Sequence, residues 1–253
     1  MATAGAGCDA TAADVQAALD AAKTSSANDE IVIGPGRFEG PFSYMPFTDA
    51  GTLKIVHVPA NTTNQINPGN IGIRAAGAVD RVHVVFDAND ASATAPAGVV
   101  LSTSGAAVRD SDIELPATNN FGTGVQAQGL NLAFAPLVAD SRIVAPTGVA
   151  AAPEALTVVR SRIVSSMRGV EACDGPVTIE DSLIQVTESF GVGLEPVAGR
   201  CGFTQPSITA RQVTIVGNDA VGQAGVLVRI GVSGRTAVVD VSLSILRNLA
   251  TLR

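Results

Sequence analysis

Val138-Ala-Asp-Ser-Arg-Ile143 is followed by Val158-Val-Arg-Ser-Arg-Ile163 and then by Ile179-Glu-Asp-Ser-Leu-Ile184. An earlier copy stands at Val108-Arg-Asp-Ser-Asp-Ile113, and weaker copies run on to Ile215 and Ile245. Each copy sets apolar residues about a polar bend. Repetition at so short a period is the mark of stacked units that share one core. A second pattern alternates with the first, a glycine followed by valine: Gly98-Val99, Gly124-Val125, Gly148-Val149, Gly169-Val170, Gly191-Val192 and Gly225-Val226.

The spacing decides what the units are. Val99 to Ile113, Val149 to Ile163 and Val170 to Ile184 each span 14 residues, and longer intervals elsewhere read as insertions. The shortest full turns, Val149 to Val170 and Val170 to Val192, take 21 and 22 residues. That is room for three short strands and three bends, and too little for a helix. A chain that winds three strands per turn and stacks each on its predecessor is a parallel β-helix, with coils ~4.8 Å apart. Val and Ile then line up in inward columns. Asp110, Asp140 and Asp181 turn the chain, because Asp tolerates left-handed backbone. The glycines are expected to ease another corner by the same freedom. A β-sandwich of irregular strands competes with this reading, but repeats in register favour the solenoid.

Composition fits a narrow aliphatic core: hydrophobic residues make up 46% of 253, aromatics 4%, charged residues 15%. High hydropathy with low charge excludes a disordered chain. No run approaches the ~18 apolar residues of a membrane span. A net charge of −7 argues against nucleic acid as partner. Lysine occurs only at positions 23 and 54 in an Ala- and Arg-rich chain, a usage associated with GC-rich bacterial genomes.

The N-terminal third reads as a cap and the first coils. Thr11-Ala-Ala-Asp14 is a capping box with Asp in the Glu position, and Val15, Ala18, Leu19 and Ala22 mark one helical face. That helix would seal the open end of the core, as a repeat protein requires. Glu30–Gly34, Pro35-Gly36 and Arg37-Phe38 give strand, turn and strand start, and further strands are expected at Thr52–Val58, Ile71–Ala75 and Val82–Phe86, with a loop over 59–70. The expected organisation is one continuous solenoid, with 1–97 as cap helix and first coils and 98–253 as regular coils. Residues 244–253 stop just past a repeat without a cap signal. An open edge there would call for cover, preferably by further chain, otherwise by a partner.

Asp14-Val-Gln-Ala-Ala-Leu-Asp-Ala-Ala22, followed by Asp29-Glu-Ile-Val-Ile-Gly-Pro-Gly36, resembles the opening of the pectin-lyase-like proteins. Their opening pairs a VQAAIDAA-type helix with a strand and Pro-Gly turn, and the Asp-Ser bends resemble their polar ladder. The resemblance implies an all-β, right-handed parallel β-helix with an N-terminal capping α-helix. It says little about activity, since one fold hosts many functions. It implies further that polysaccharide-acting members carry their chemistry on the outer face of the Gly-Val strand. On this chain that face offers Glu171, Glu195 and Arg229 as catalytic candidates and Gln126, Gln128 and Arg168 as substrate-binding ones.

Glu171 and Glu195 form the sharpest pair. Read one coil and two residues apart, they would lie ~8 Å from each other, within the ~6.5–9.5 Å of inverting glycosidases. The plainer expectation is a surface ion pair between Glu195 and Arg229, worth ~0–1 kcal/mol. Signatures of the catalytic branches are missing from the sequence: His57 and His83 stand alone, and neither a Gly-His-Gly nor an Arg-x-Pro-x-x-Arg occurs. No cofactor is implied. Asp87-Ala-Asn-Asp90 and Asp110-Ser-Asp112 are weak Ca²⁺ candidates that read more simply as turns. Sugar clefts need aromatic platforms, for which Phe121, Phe134, Phe190 and Phe203, in or near insertions, are the candidates, with core filling equally open. Cys173 and Cys201, on neighbouring coils, are read either as a disulfide or as buried thiols; Cys8 has no evident partner. A bridge would fit a secreted or cell-surface protein, although no leader follows Met1.

Two functions remain. The preferred one is a non-catalytic extracellular or cell-surface scaffold that binds glycans or proteins along one face. The other is a polysaccharide lyase or glycoside hydrolase with a divergent site.

Overall fold

The computed structural model describes residues 15–22, 29–33, 37–39, 42–43, 53–57, 65–67, 71–75, 78–80, 83–85, 97–101, 106–115, 122–127, 135–151, 155–173, 175–198, 205–218, 223–227, 229–230, 236–242 and 244–247. It is a parallel β-helix. One nine-stranded sheet stacks Asp29–Ile33, Leu53–His57, Ala78–Asp80, Ala107–Arg109, Leu137–Ala139, Leu156–Val159, Pro176–Glu180, Ser207–Arg211 and Val238–Ser242 in chain order. Strands adjacent in this sheet are separated in sequence by strands of a second sheet, so each crossover is one coil. The second sheet holds two legs. The first leg follows the polar bend, as at Asp112–Glu114, and the second carries the Gly-Val pattern, as at Thr123–Ala127. In the middle coils the two legs fuse into single strands, Arg142–Ala151 and Arg162–Cys173.

Register confirms the inward columns. Val138, Val158, Ile179 and Ala210 pair in succession on the first sheet. Ile113, Ile143, Ile163, Ile184 and Ile215 do so on the first leg. Val99, Val125, Val149, Val170 and Leu194 do so on the second. All of these are fully buried, each valine, isoleucine and leucine contributing ~1.5–3 kcal/mol by its removal from water. The helix Val15–Ala22 packs against Asp29–Ile33 and Phe42–Ser43, and Val15 and Leu19 extend the core. The capping box at Thr11 lies outside the described residues. Strand 65–67 interrupts the stretch expected to be a loop, and its Ile66 pairs with both Phe38 and Val84.

The polar bend behaves as Asp chemistry predicts, with an addition. Asp110, Asp140 and Asp181 have φ of 48°, 50° and 50°, and Arg160 and Gln212 hold the same left-handed position. Arg160 donates two hydrogen bonds to Asp140, and its guanidinium holds the Asp140 carboxyl below the usual carboxylate range. That contribution is present above the ordinary carboxylate pKa and fades as pH falls through the lowered value; at so exposed a pair it is small. The serine after each bend does more. Ser111, Ser141 and Ser161 each offer the backbone N–H to the hydroxyl of the serine one coil on, Ser141, Ser161 and Ser182. Each hydroxyl donates in turn to a carbonyl two residues back. The ladder is buried, so Ser161→Ala would strip the Ser141 N–H of its acceptor. We expect a loss of ~1–3 kcal/mol, read as a shifted urea midpoint with unchanged m-value.

Two expectations at the glycines need correction. None of Gly98, Gly124, Gly148, Gly169, Gly191 and Gly193 has left-handed backbone. Their role is space: a Cβ on Gly98, Gly124, Gly148, Gly169 or Gly193 would run into the opposing isoleucine and into the glycine carbonyl oxygen of the next coil. The series also continues through Gly193-Leu194, not Gly191-Val192, because Leu194 pairs with Val170 while Val192 pairs with Arg168. Likewise Leu246, not Ile245, stands opposite Ile215. Among the described residues this last coil leaves Val238, Val241, Ile245 and Leu246 exposed.

Candidate functional site

The corrected register rebuilds the candidate face. Gln126, Ala150, Glu171 and Glu195 form one outward column along the Gly-Val leg. Glu171 and Glu195 are therefore direct neighbours, with backbones ~4.8 Å apart, and not a diagonal pair at the inverting distance. Arg229 stands opposite Val197, two positions beyond Glu195. The Arg229 side chain lies outside the described residues; among those described, the partner of Glu195 is another arginine. Arg168 Nε donates to Glu195 Oε2 and lies 3.3 Å from Glu171 Oε2. Glu195, expected on the surface, is 0% exposed, while Arg168 and Glu171 side chains are 17% and 14% exposed.

A one-residue insertion aims Arg168 there. Ala145 and Thr147 pair with Ser165 and Arg168, so the strand Arg162–Cys173 carries one residue more at its corner. Such a bulge re-aims the side chains beside it. The sequence holds the signal, since Ile143 to Val149 takes six residues and Ile163 to Val170 takes seven.

A cavity of about 220 Å³ opens beside Arg168 and Glu195, bounded by Ser166, Met167 and the turn Glu188–Phe190. The Ser166 side chain is buried, and its Oγ has no hydrogen-bond partner among the described residues. Phe190 stands at the rim, 75% exposed.

Other candidates fall elsewhere. Gln128, Phe121, Phe134, Phe203, Cys201 and Asp87–Asp90 lie outside the described residues. Cys173, read either as a disulfide or as a buried thiol, is buried and disulfide-bonded. Asp110 occupies the left-handed bend, and Asp112 accepts two hydrogen bonds from Arg142. Among the described residues no group of three or more His, Cys, Asp or Glu could hold a metal ion, and no helix is long and apolar enough to cross a membrane.

No family model matches the chain, and no curated protein matches it in sequence. Among solved structures, the crystal structure of Escherichia coli YbhC is similar, with a TM-score of 0.54 at 10% identity, over 96% of this chain and 83% of that one. At that identity the likeness shows the fold, a parallel β-helix, and nothing of the chemistry.

Proposed function

We propose that this chain is a non-catalytic, glycan-binding β-helix of the pectin-lyase-like kind that works outside the reducing cytosol. One observation carries the reading: the guanidinium of Arg168 fills the space between Glu171 and Glu195. Two glycosidase carboxylates must flank a glycosidic bond, with ~5–5.5 Å or more left open between them. Here that gap is occupied, and the inner carboxylate is withdrawn from solvent. Ion-paired carboxylates beside a shallow cavity can still accept hydrogen bonds from sugar hydroxyls. The disulfide at Cys173 supports an oxidising compartment.

The test is incubation with a panel of neutral and acidic polysaccharides, with and without Ca²⁺. Retention would be followed by affinity electrophoresis and products by mass spectrometry. Retention without products is the expected result. Unsaturated or hydrolysed oligosaccharides that vanish in Glu171→Gln or Glu195→Gln would replace this reading with the enzymatic one. Absence of both retention and products would remove glycans altogether.

A further inference from the structure

We propose, resting on the glycan-binding reading, that Phe190 is the stacking platform of the site and that the ring it takes is an uncharged sugar. Phe190 is the third residue of the turn Glu188–Gly191, closed by a 3.2 Å hydrogen bond from Gly191 N to Glu188 O. Its φ is 62°, a conformation that turns of this kind reserve for glycine or asparagine. The chain has a glycine in the very next position. It nevertheless places a phenylalanine at the strained one, in a protein with 4% aromatics, and leaves that ring three-quarters exposed. The ring gains little burial to offset the strain.

The surroundings hold it there. Thr187 N and Oγ1 both donate to Ser165 O, at 2.8 and 3.0 Å. From the next coil Asn218 Nδ2 donates to Thr187 O at 2.6 Å, and the fully buried Gln223 donates through Nε2 to Glu188 O at 3.0 Å and Val186 O at 3.3 Å. Gln223 and Asn218 lock each other, with Asn218 N donating to Gln223 Oε1 and Gln223 Nε2 to Asn218 Oδ1. Strained backbone persists only where its surroundings over-determine it, and such places cluster at ligand clamps. The turn is therefore a rigid mount for one exposed ring.

The wall beside the ring names the ligand. A pyranose presents an apolar face of C–H bonds and a periphery of hydroxyls. The face fits an aromatic ring, with Met167 as a soft apolar neighbour. The hydroxyls meet Arg168, Glu188 and the unpartnered Ser166 Oγ. Among the described residues Glu171, Glu188 and Glu195 outnumber Arg168, so a uronate would be repelled. A cavity below the ~300–1,000 Å³ of sites that engulf a ligand suits a single ring of a longer chain.

Calorimetric titration of the full chain with neutral gluco-, xylo-, manno- and galacto-oligosaccharides, and with oligogalacturonate of equal length, tests this. We expect at least one neutral series to bind, with affinity falling tenfold or more in Phe190→Ala and Phe190→Gly and kept in Phe190→Trp. Phe190→Gly, relieved of the strained φ, should also melt higher, by about 2 °C or more, so that binding and stability move in opposite directions. Neutral binding indifferent to Phe190→Ala would overturn the platform and leave the glycan reading intact. Binding of oligogalacturonate alone would overturn the uncharged ligand. A lower melting point for Phe190→Gly would mean that the ring is packed and not presented, and no binding of any oligosaccharide would take down both proposals.

Discussion

Replacing Gly148 by alanine is expected to cost about 3 kcal/mol, a large share of a stability that for single domains is ~5–15 kcal/mol. The added Cβ would lie 2.6 Å from the Gly169 carbonyl oxygen and closer still to Ile163 Cγ2. The oxygen cannot swing away as a flexible side chain would, because it is backbone of the next coil. Nor can that coil shift alone, since Gly169 stands in the same relation to the carbonyl of Gly193, and Gly193 to that of Gly225. Urea unfolding of Gly148→Ala, Ile163→Ala and the double variant separates the two contacts. Ile163→Ala alone should cost ~2–5 kcal/mol for its cavity. In the double variant the new methyl enters part of that cavity, so the costs should sum to less than additive by ~1 kcal/mol or more. A Gly148→Ala within ~0.5 kcal/mol of wild type would show that the glycine column is not close-packed.

This column shows where the sequence speaks and where it is mute. Glycine and valine in alternation with Asp-Ser-x-Ile disclose the number of strands per coil, because each inward position must be refilled at every turn. The same letters do not say why glycine is there. Left-handed backbone and lack of room both select it, and only the facing isoleucine column decides. The bend is the opposite case: Asp110, Asp140 and Asp181 announce a left-handed corner, and Arg160 and Gln212 adopt it because the ladder on either side imposes it. The serines beside them looked like bend residues, yet their hydroxyls link successive coils, a relation that needs register to be seen.

The site was legible in its letters and misread in its alignment. Glu171, Glu195 and Arg168 were all visible on the Gly-Val leg. Matching Gly169-Val170 to Gly191-Val192 displaced Glu195 by two residues, which produced the inverting distance and set Arg229 directly opposite Glu195. Thr187–Gly191 hid the correct match, since an insertion ending in a glycine mimics the repeat it interrupts. The clamp of Asn218 and Gln223 leaves no pattern in sequence, because its partners are carbonyl groups more than thirty residues away, which any residue could supply.

Arg168→Met is expected to cost ~3–5 kcal/mol, the loss met when one partner of a buried ion pair is removed and the other stays behind. Glu195 is wholly inaccessible and Glu171 lies directly beside it in register, so without the guanidinium two carboxylates would face each other across ~4.8 Å. The double variant Arg168→Met/Glu195→Leu removes the repulsion together with the buried charge and should recover most of the loss. A coupling energy of ~2 kcal/mol or more in the urea cycle would fit a pair kept for structure. The sign of Glu195→Gln discriminates further. An amide retains the shape but weakens the bond to Arg168, and for a structural pair it should destabilise by ~1–2 kcal/mol. Catalytic carboxylates commonly sit in places that are costly to stability, and their removal then stabilises the fold. If Glu195→Gln proved more stable than wild type, the carboxylate would be one the fold holds at a cost, and the enzymatic reading of this face would take precedence over the binding one.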